Sequence, residues 1–266
     1  INLEMDGVPF ITHPGRYTYA ECEKRVHFKS EQMQNTVLVE GGHYPSIESS
    51  WGYHWVAKPL SMQMKKEDAL YYFEAQWSIP MKDNETSSRA YIIRKMILDM
   101  QSKLLLVIDE EECGHALTQN FIIPKQRSNK VYSRFWTNGE MVTEAMQYSK
   151  RYNSLDEGIQ LNIRNKKGPI FTCIAFEPYL VEKKSIPRLD CPGEERGTKI
   201  KCKTKSGELT IYYSPEDIHN GLKYLKDSNG NIVYGRMVVE KNNQKISFPL
   251  SLYNFESPQP SPNCTK

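Results

Sequence analysis

The chain has 266 residues, of which 39% are hydrophobic, 11% aromatic and 25% charged. This is the composition of a folded globular protein, and it excludes a disordered, collagenous or fibrous chain. The net charge of +3, from 35 lysines and arginines against 32 aspartates and glutamates, is too even for a protein that mainly neutralises a nucleic-acid backbone. We therefore expect no nucleic-acid partner, and we expect any basic function to be local.

The longest apolar run, residues 104–108, is far shorter than the ~20 residues that cross a bilayer. No membrane span is predicted. The first residue, Ile1, is not a methionine, which fits removal of a leader segment.

Residues 41–55 are the most unusual segment in the first part of the chain. Glycines, serines and Pro45 predict a loop there, and Trp51, Tyr53 and Trp55 follow at a spacing of two. If this end is extended, the three rings project from one face. Large aromatic side chains with polar atoms are typical of protein-binding hot spots and of sugar-stacking surfaces. We predict a binding surface here, with anchoring of a sheet against its core as the alternative.

The middle of the chain is mainly β in character. Residues 69–77 and 103–108 are short and rich in aromatic or aliphatic side chains, which predicts strands. Apolar side chains recur at helical spacing in residues 92–100 and 141–152, which predicts a short helix in each. Residues 125–136 combine basic and aromatic side chains and predict a polar loop that leads into a strand.

Acidic residues cluster at positions 109–112. Carboxylates on a loop can bind calcium, but consecutive residues cannot all face one ion, so a solvated acidic turn with no metal is the prediction. Local signatures of acyl transfer, zinc proteolysis and nucleotide binding are absent from the sequence, and no cofactor is expected. An extracellular hydrolase assembled from distant histidines and carboxylates stays open as an alternative, with His43, His54, His115 and Asp109 as its candidates.

The last third begins after residues 182–188, whose polar, proline-bearing composition predicts a domain boundary. Strands separated by glycine- and asparagine-rich turns then predict a β-meander. Lysines alternate with Ile200 and Cys202 in its first strand, so they lie on one face: Lys199, Lys201, Lys203 and Lys205. This lysine stripe is suited to a sulfated glycan, an anionic membrane or an acidic protein. The alternative is an edge strand that lysines protect from aggregation.

Cysteine usage and glycosylation sequons bear on the compartment. The six cysteines are dispersed with no C-x-x-C motif, which predicts disulfides, and free thiols in a cytosolic protein are the alternative. They are Cys22, Cys113, Cys173, Cys191, Cys202 and Cys264. Sequons at Asn84 and Asn263 lie in a predicted loop and in a proline-rich tail, so both are predicted glycosylation sites.

These patterns together predict a mostly β, β-sandwich-like protein with two short helices. Residues 1–188 form the larger domain, and residues 189–266 form a small disulfide-linked antiparallel β-meander domain. We expect a secreted or ectodomain glycoprotein that binds an extracellular protein without catalysis. A glycan-binding β-sandwich with a sulfated or other glycan as its partner is a further alternative, beside the hydrolase.

Overall fold

The computed structural model describes residues 1–5, 7–45, 47–49, 51–82, 88–186, 197–214, 224–226, 232–234, 237–242 and 244–248. Strands account for 58% of the structure and helices for 9%. The predicted β-rich fold with few helices is therefore confirmed. No helix in this part of the chain has the length and apolarity needed to cross a bilayer.

The strands of the first half, in chain order, are β1 (Leu3–Met5), β2 (Val8–Ile11), β3 (Val37–Val39), β4 (Lys58–Glu67), β5 (Leu70–Pro80), β6 (Arg89–Asp99), β7 (Leu104–Glu111), β8 (Leu117–Pro124) and β9 (Phe135–Thr137). Those of the second half are β10 (Glu140–Tyr148), β11 (Asp156–Asn165), β12 (Ile170–Ala175), β13 (Tyr179–Ile186), β14 (Gly197–Thr204), β15 (Glu208–Tyr213), β16 (Tyr224–Lys226), β17 (Ile232–Tyr234), β18 (Met237–Lys241) and β19 (Gln244–Phe248). The helices are α1 (Glu23–Lys29), α2 (Lys125–Ser128) and α3 (Val131–Arg134), with a 3-10 helix at Glu31–Met33.

Three larger sheets organise these strands. Their strand orders are β10-β11-β8-β3, β4-β5-β6-β7-β12-β9 and β13-β14-β15-β18-β19, and two-stranded sheets pair β1 with β2 and β16 with β17. The order β14-β15-β18-β19 is an antiparallel meander, as the turn residues predict. The consecutive strands β11 and β12 do not pair with each other, because they belong to different sheets.

The chain divides into two compact units that alternate along the sequence. The first contains residues 1–63, 74–95 and 107–172, and the second contains residues 64–73, 96–106 and 173–266. The four-stranded sheet lies in the first unit and the five-stranded sheet in the second. The sequence predicted a single boundary near residue 188, whereas each of these units is discontinuous in the chain. Residue 188 itself lies outside the described residues.

Both predicted helices are strands in the structure. Residues 92–99 fall in β6, where Ile92, Ile93 and Ile97 are all buried. Burial is continuous over residues 92–95 of β6, so both faces of the strand are covered there. The period-two alternation is interrupted at these residues, and the apolar spacing imitates a helix. Residues 141–148 fall in β10, which pairs with β11 from Glu140↔Arg164 to Tyr148↔Asp156. This pairing overrides the helical spacing.

The three helices form elsewhere. Helix α1 follows the exposed Cys22, in a segment where no element is predicted. Helices α2 and α3 occupy most of residues 125–134, and only the residues of β9 from that region are strand. Each helix has seven residues or fewer, and helices this short depend on tertiary packing. Local sequence propensity is therefore a poor predictor of where they form.

Candidate functional site

A pocket of about 540 Å³ opens in the first unit. Three chain segments surround it: the loop before α1, the helical region from α1 to residue 34, and the aromatic segment at residues 45–56. Its lining includes His13 and Arg16 from the first segment, Arg25, Lys29 and Glu31 from the second, and Trp51 and Tyr53 from the third.

Helix α1 supplies one wall of the pocket. Arg25, Phe28 and Lys29 are its buried residues, and their i, i+3, i+4 spacing places them on one helix face. Glu23 lies in the first turn, and His27 and Lys29 lie in the last turn, which complements the helix dipole. The amphipathic pattern of these seven residues therefore directs two cations toward the pocket.

Lys29 fixes the aromatic segment in place. Its Nζ donates hydrogen bonds to the carbonyl oxygens of Ser49, at 2.6 Å, and Gly52, at 2.8 Å. The same Nζ lies 4.2 Å from the ring centroid of Tyr53, within cation–π range. Burial, followed by the charge of Arg25, lowers the pKa of Lys29. Ser49 Oγ also accepts hydrogen bonds from the backbone N–H groups of Trp51, at 3.2 Å, and Gly52, at 3.0 Å. The loop is thus held at several points.

The loop before α1 is held by the end of β10. The backbone N–H of Ser149 donates to Pro14 O at 2.7 Å, and that of Asn153 donates to Tyr17 O at 2.6 Å. Gly15 has a φ of +78°, and a Cβ at this position would lie 1.7 Å from Ser149 O. Only glycine fits this close approach of two backbones.

The pocket carries an excess of positive charge. Arg16 is exposed at its rim, Arg25 and Lys29 are buried in its wall, and Glu31 is the acidic residue of its lining. Burial raises the pKa of Glu31, which weakens its negative charge further at mildly acidic pH. Burial, and then the charge of Glu31, also raises the pKa of Tyr53. These features favour an anionic ligand.

His13 belongs to the pocket lining and lies close to positive charges. Its Nδ1 accepts a hydrogen bond from the backbone N–H of Gly15 at 2.9 Å. Burial first, then nearby positive charges that include Arg16, lowers the pKa of His13, and a hydrogen bond with Gln34 opposes the shift. His13 therefore lines the pocket as a polar group and gains charge only in acid.

Beside the pocket, three exposed rings form a stack that we call the aromatic ladder: Tyr152, Tyr19 and Trp51. The Tyr19 and Trp51 ring centroids lie 5.0 Å apart with an interplanar angle of 8°, and those of Tyr19 and Tyr152 lie 5.7 Å apart at 29°. The exposed fractions are 43% for Tyr19, 71% for Trp51 and 62% for Tyr152. Trp51 belongs to both the ladder and the pocket lining.

The structure brings together two of the three predicted aromatic residues. Trp51 and Tyr53 line the pocket, but Trp55 does not and is instead stacked on His43 at 5.4 Å. Residues 51–55 form no strand, so the expectation of three rings on one extended face is wrong.

The acidic cluster is part of the core, which corrects the prediction of a solvated turn. Asp109 is fully buried in β7 and accepts two hydrogen bonds from Arg94, at 2.6 and 2.7 Å. Glu110, also buried, pairs with Lys95 at 2.9 Å. Charged residues enter this core because each finds a partner on the neighbouring strand β6.

The candidates for a hydrolase do not converge at the pocket. Asp109 is bound to Arg94, His43 stacks on Trp55, and His115 lies 3.1 Å from Glu111. His43, His54, His115 and Asp109 are all absent from the pocket lining. Among the residues that the structure describes, no group of three or more His, Cys, Asp or Glu side chains could hold a metal ion.

Three lysines of the stripe, Lys199, Lys201 and Lys203, lie on β14, and Lys205 lies just beyond its end. Ile200 and Cys202 are buried on the opposite face of the strand. The explanation that the stripe protects an edge strand is wrong, because β13 and β15 pair with β14 on its two sides. Carboxylates also face the lysines. Lys201 forms an ion pair with Glu208 at 2.9 Å, and Glu182 stands opposite Lys201 in register. The positive charge of this surface is therefore partly neutralised.

Cys22, Cys173 and Cys202 are free thiols in the structure, whereas Cys113 is disulfide-bonded. Disulfide bonding at the remaining cysteines stays a prediction. Cys173 and Cys202 are buried, and their mutual hydrogen bond, followed by burial, raises the pKa of Cys173 and keeps its thiol protonated. Cys191 and Cys264, like the sequons at Asn84 and Asn263, lie outside the described residues.

No protein-family model and no curated protein sequence matches this chain. Solved structures do match. A heparinase III shares 14% sequence identity at a TM-score of 0.54, and the match covers 80% of this chain and 36% of that one. The heparan sulfate lyase HepC from Pedobacter heparinus shares 12% identity at a TM-score of 0.55, covering 79% of this chain and 35% of that one. The similarity is one of fold, and this chain spans about a third of those proteins.

Proposed function

We propose that the pocket binds an acidic, sulfated glycan. The observation that carries the proposal is the convergence of three cations, Arg16, Arg25 and Lys29, with two aromatic rings in one pocket of the first unit. Guanidinium groups pair with sulfate and carboxylate oxygens in a fixed geometry, and aromatic rings give apolar faces on which sugar rings stack. A sulfated glycan offers both chemistries along one chain.

The comparisons with known structures support this choice of ligand. Two proteins of similar fold are named as a heparinase and as a heparan sulfate lyase, so their names connect them with sulfated glycans. Identity of 12–14% transfers no activity, and the match covers 35–36% of their length. The glycan proposal therefore depends on the charges of this pocket, with the fold similarity as a second line of support.

A heparan sulfate titration followed by calorimetry tests the proposal. Arg16→Ala should weaken binding about tenfold, since a hydrogen bond to a charged group contributes about 1.5–3 kcal/mol. Arg164→Ala is the matched control, because Arg164 is also an exposed arginine of the first unit and does not line the pocket. Equal losses in both variants, or no binding by the native chain, would contradict the proposal. Capture of a protein partner through Trp51 would instead favour the protein-binding alternative.

The second candidate function is cleavage of the bound glycan. Glu31 favours it, because a half-buried carboxyl with a raised pKa beside Tyr53 is suited to proton transfer. Incubation with heparan sulfate, followed by size analysis of the glycan, decides between binding and cleavage. Cleavage by the native chain that Glu31→Gln abolishes without loss of binding would establish an enzyme, and unchanged glycan size would leave a binding protein.

We also propose that the protein is a secreted or ectodomain glycoprotein. Sulfated glycans of the heparan type are extracellular ligands, and sequons at Asn84 and Asn263 fit passage through a secretory pathway. Expression in a secretory eukaryotic host should give a protein whose mass falls on treatment with an N-glycosidase. Thiol titration of the unfolded, unreduced protein tests disulfide bonding, and six titratable thiols would contradict it.

A further inference from the structure

We infer that the aromatic ladder is a second glycan subsite, so that the protein binds a run of several sugar residues rather than a single terminal unit. This inference rests on the proposed function of the pocket and extends the ligand from one site to a chain. Trp51 and Arg16 provide the connection, because each lines the pocket and also contacts Tyr19 of the ladder.

The geometry of the ladder is that of an exposed contact surface. Tyr19 stacks nearly parallel to Trp51 on one side and stacks on Tyr152 on the other. All three rings keep more than 40% of their surface exposed, although aromatic side chains of this size are usually buried. Rings that stack on each other while open to solvent form a row of apolar surface that continues away from the pocket.

The three rings are held by their backbones. Tyr152 lies between Ser149 and Asn153, which both bond to the loop that carries Tyr19. Trp51 lies between the Ser49 and Gly52 carbonyls that Lys29 binds. A surface that is ordered before binding loses little conformational entropy on binding, which suits ligands with weak individual contacts.

Charge selects an anionic glycan as the occupant. The Arg16 guanidinium lies 5.9 Å from the Tyr19 ring centroid, so it stands over the ladder as well as at the pocket rim. Lys150 and Arg151, both exposed, precede Tyr152 in the chain. An uncharged chain would gain only the weaker hydrogen bonds to its hydroxyl groups, and a cationic chain would be repelled, whereas sulfate or carboxylate groups repeated along a glycan form charge-assisted pairs with these side chains.

Binding of size-defined heparan sulfate oligosaccharides tests the inference. Tyr152→Ala should weaken octasaccharide binding about fivefold to tenfold while leaving disaccharide binding unchanged, since only the longer ligand reaches the far end of the ladder. Tyr152→Phe should restore octasaccharide affinity, because the ring face is retained. Tyr132→Ala is the matched control, as Tyr132 exposes 63% of its surface on α3 of the same unit, against 62% for Tyr152.

The outcomes separate this inference from the proposed function. If the native chain binds both oligosaccharides and Tyr152→Ala weakens neither, or weakens both equally, the ladder is not a subsite while the pocket proposal stands. If the native chain binds neither, the proposed function fails and the inference fails with it. A selective loss for the octasaccharide, absent in Tyr132→Ala and with an unchanged melting temperature, supports the inference.

Discussion

The Nζ of Lys29 lies 4.2 Å from the centroid of the Tyr53 ring, and the side chain of Lys29 reaches there from α1 across the pocket wall. Its ammonium is also bonded to the carbonyl oxygens of Ser49 and Gly52. One side chain thus orders the loop that carries Trp51 and contributes positive charge to the pocket.

Replacing Lys29 by Met should release this loop. The substitution keeps the apolar stem and leaves two carbonyl oxygens without their donor, at a cost of about 1–3 kcal/mol in the free energy of unfolding. Chemical denaturation measures the loss, and faster proteolysis within residues 47–56 would locate it. Lys166→Met, at an exposed turn of the same unit, should change neither. Equal stability of the two variants would show that Lys29 does not hold the loop.

The charge of Glu31 predicts a pH dependence of glycan affinity. Burial raises the pKa of Glu31 above its ordinary value of 4.5, and the ionised carboxylate opposes an anionic ligand. Affinity should therefore rise as the pH falls from 7 through this pKa. Because the folded-state pKa is raised, the same proton also stabilises the fold, fully below pH 4.5 and less as the pH rises through the folded pKa.

Titrations at several pH values measure this effect. His13, Arg16, Arg25, Lys29 and Tyr53 also line the pocket, and His13 gains charge in the same direction in acid. The comparison is therefore made in a His13→Asn background, in which Glu31→Gln should flatten the remaining pH dependence. A dependence that survives in the double variant would assign it to groups outside the pocket.

Gly15 and Gly168 form a matched pair for testing the approach of two backbones. Both have positive φ values, +78° and +79°, but a Cβ at Gly15 would collide with Ser149 O, whereas a Cβ at Gly168 meets nothing within 4 Å. Gly168→Ala should cost only about 1 kcal/mol of stability, for the left-handed backbone. Gly15→Ala should cost more and should also weaken glycan binding, because the loop with Arg16 and Tyr19 must move. Thermal denaturation and calorimetry check both, and equal effects would contradict the close approach.

The lysine stripe provides a test of where glycan affinity lies. Replacing Lys201 and Lys203 by Gln should leave folding intact, because both side chains point away from the buried face of β14 and no like charges are brought together. Retention on heparin should fall far less than it does for Arg16→Ala, since Lys201 is already paired with Glu208. A larger loss from the lysine double variant would move the glycan site to the second unit.

The sequence predicted the β-rich class and the C-terminal meander because these depend on local patterns. Ile200 and Cys202 alternate with lysines, and glycine- and asparagine-bearing turns separate the strands, so each signal lies within a few residues. The same reasoning failed at β6. Ile92 and Ile93 point to opposite faces of this strand and both are buried, and Asp109 brings the buried Arg94 its partner from 15 residues away.

The residues of the pocket and the aromatic ladder also fall into those that local sequence patterns indicated and those that they did not. The aromatic segment stands out in the sequence by itself, since Trp51 and Tyr53 are large rings in a glycine-rich loop. Nothing local connects them with Arg16, Tyr19 or Tyr152, which reach the same surface because backbone hydrogen bonds from Ser149 and Asn153 hold the first loop beside the end of β10. Residue type and short-range spacing can be read directly from the sequence. They were sufficient to predict the fold class and the aromatic segment that forms one wall of the pocket. Which distant loops meet there was decided by backbone hydrogen bonds between residues more than a hundred positions apart, such as Ser149 and Pro14, and only the tertiary structure contains those contacts.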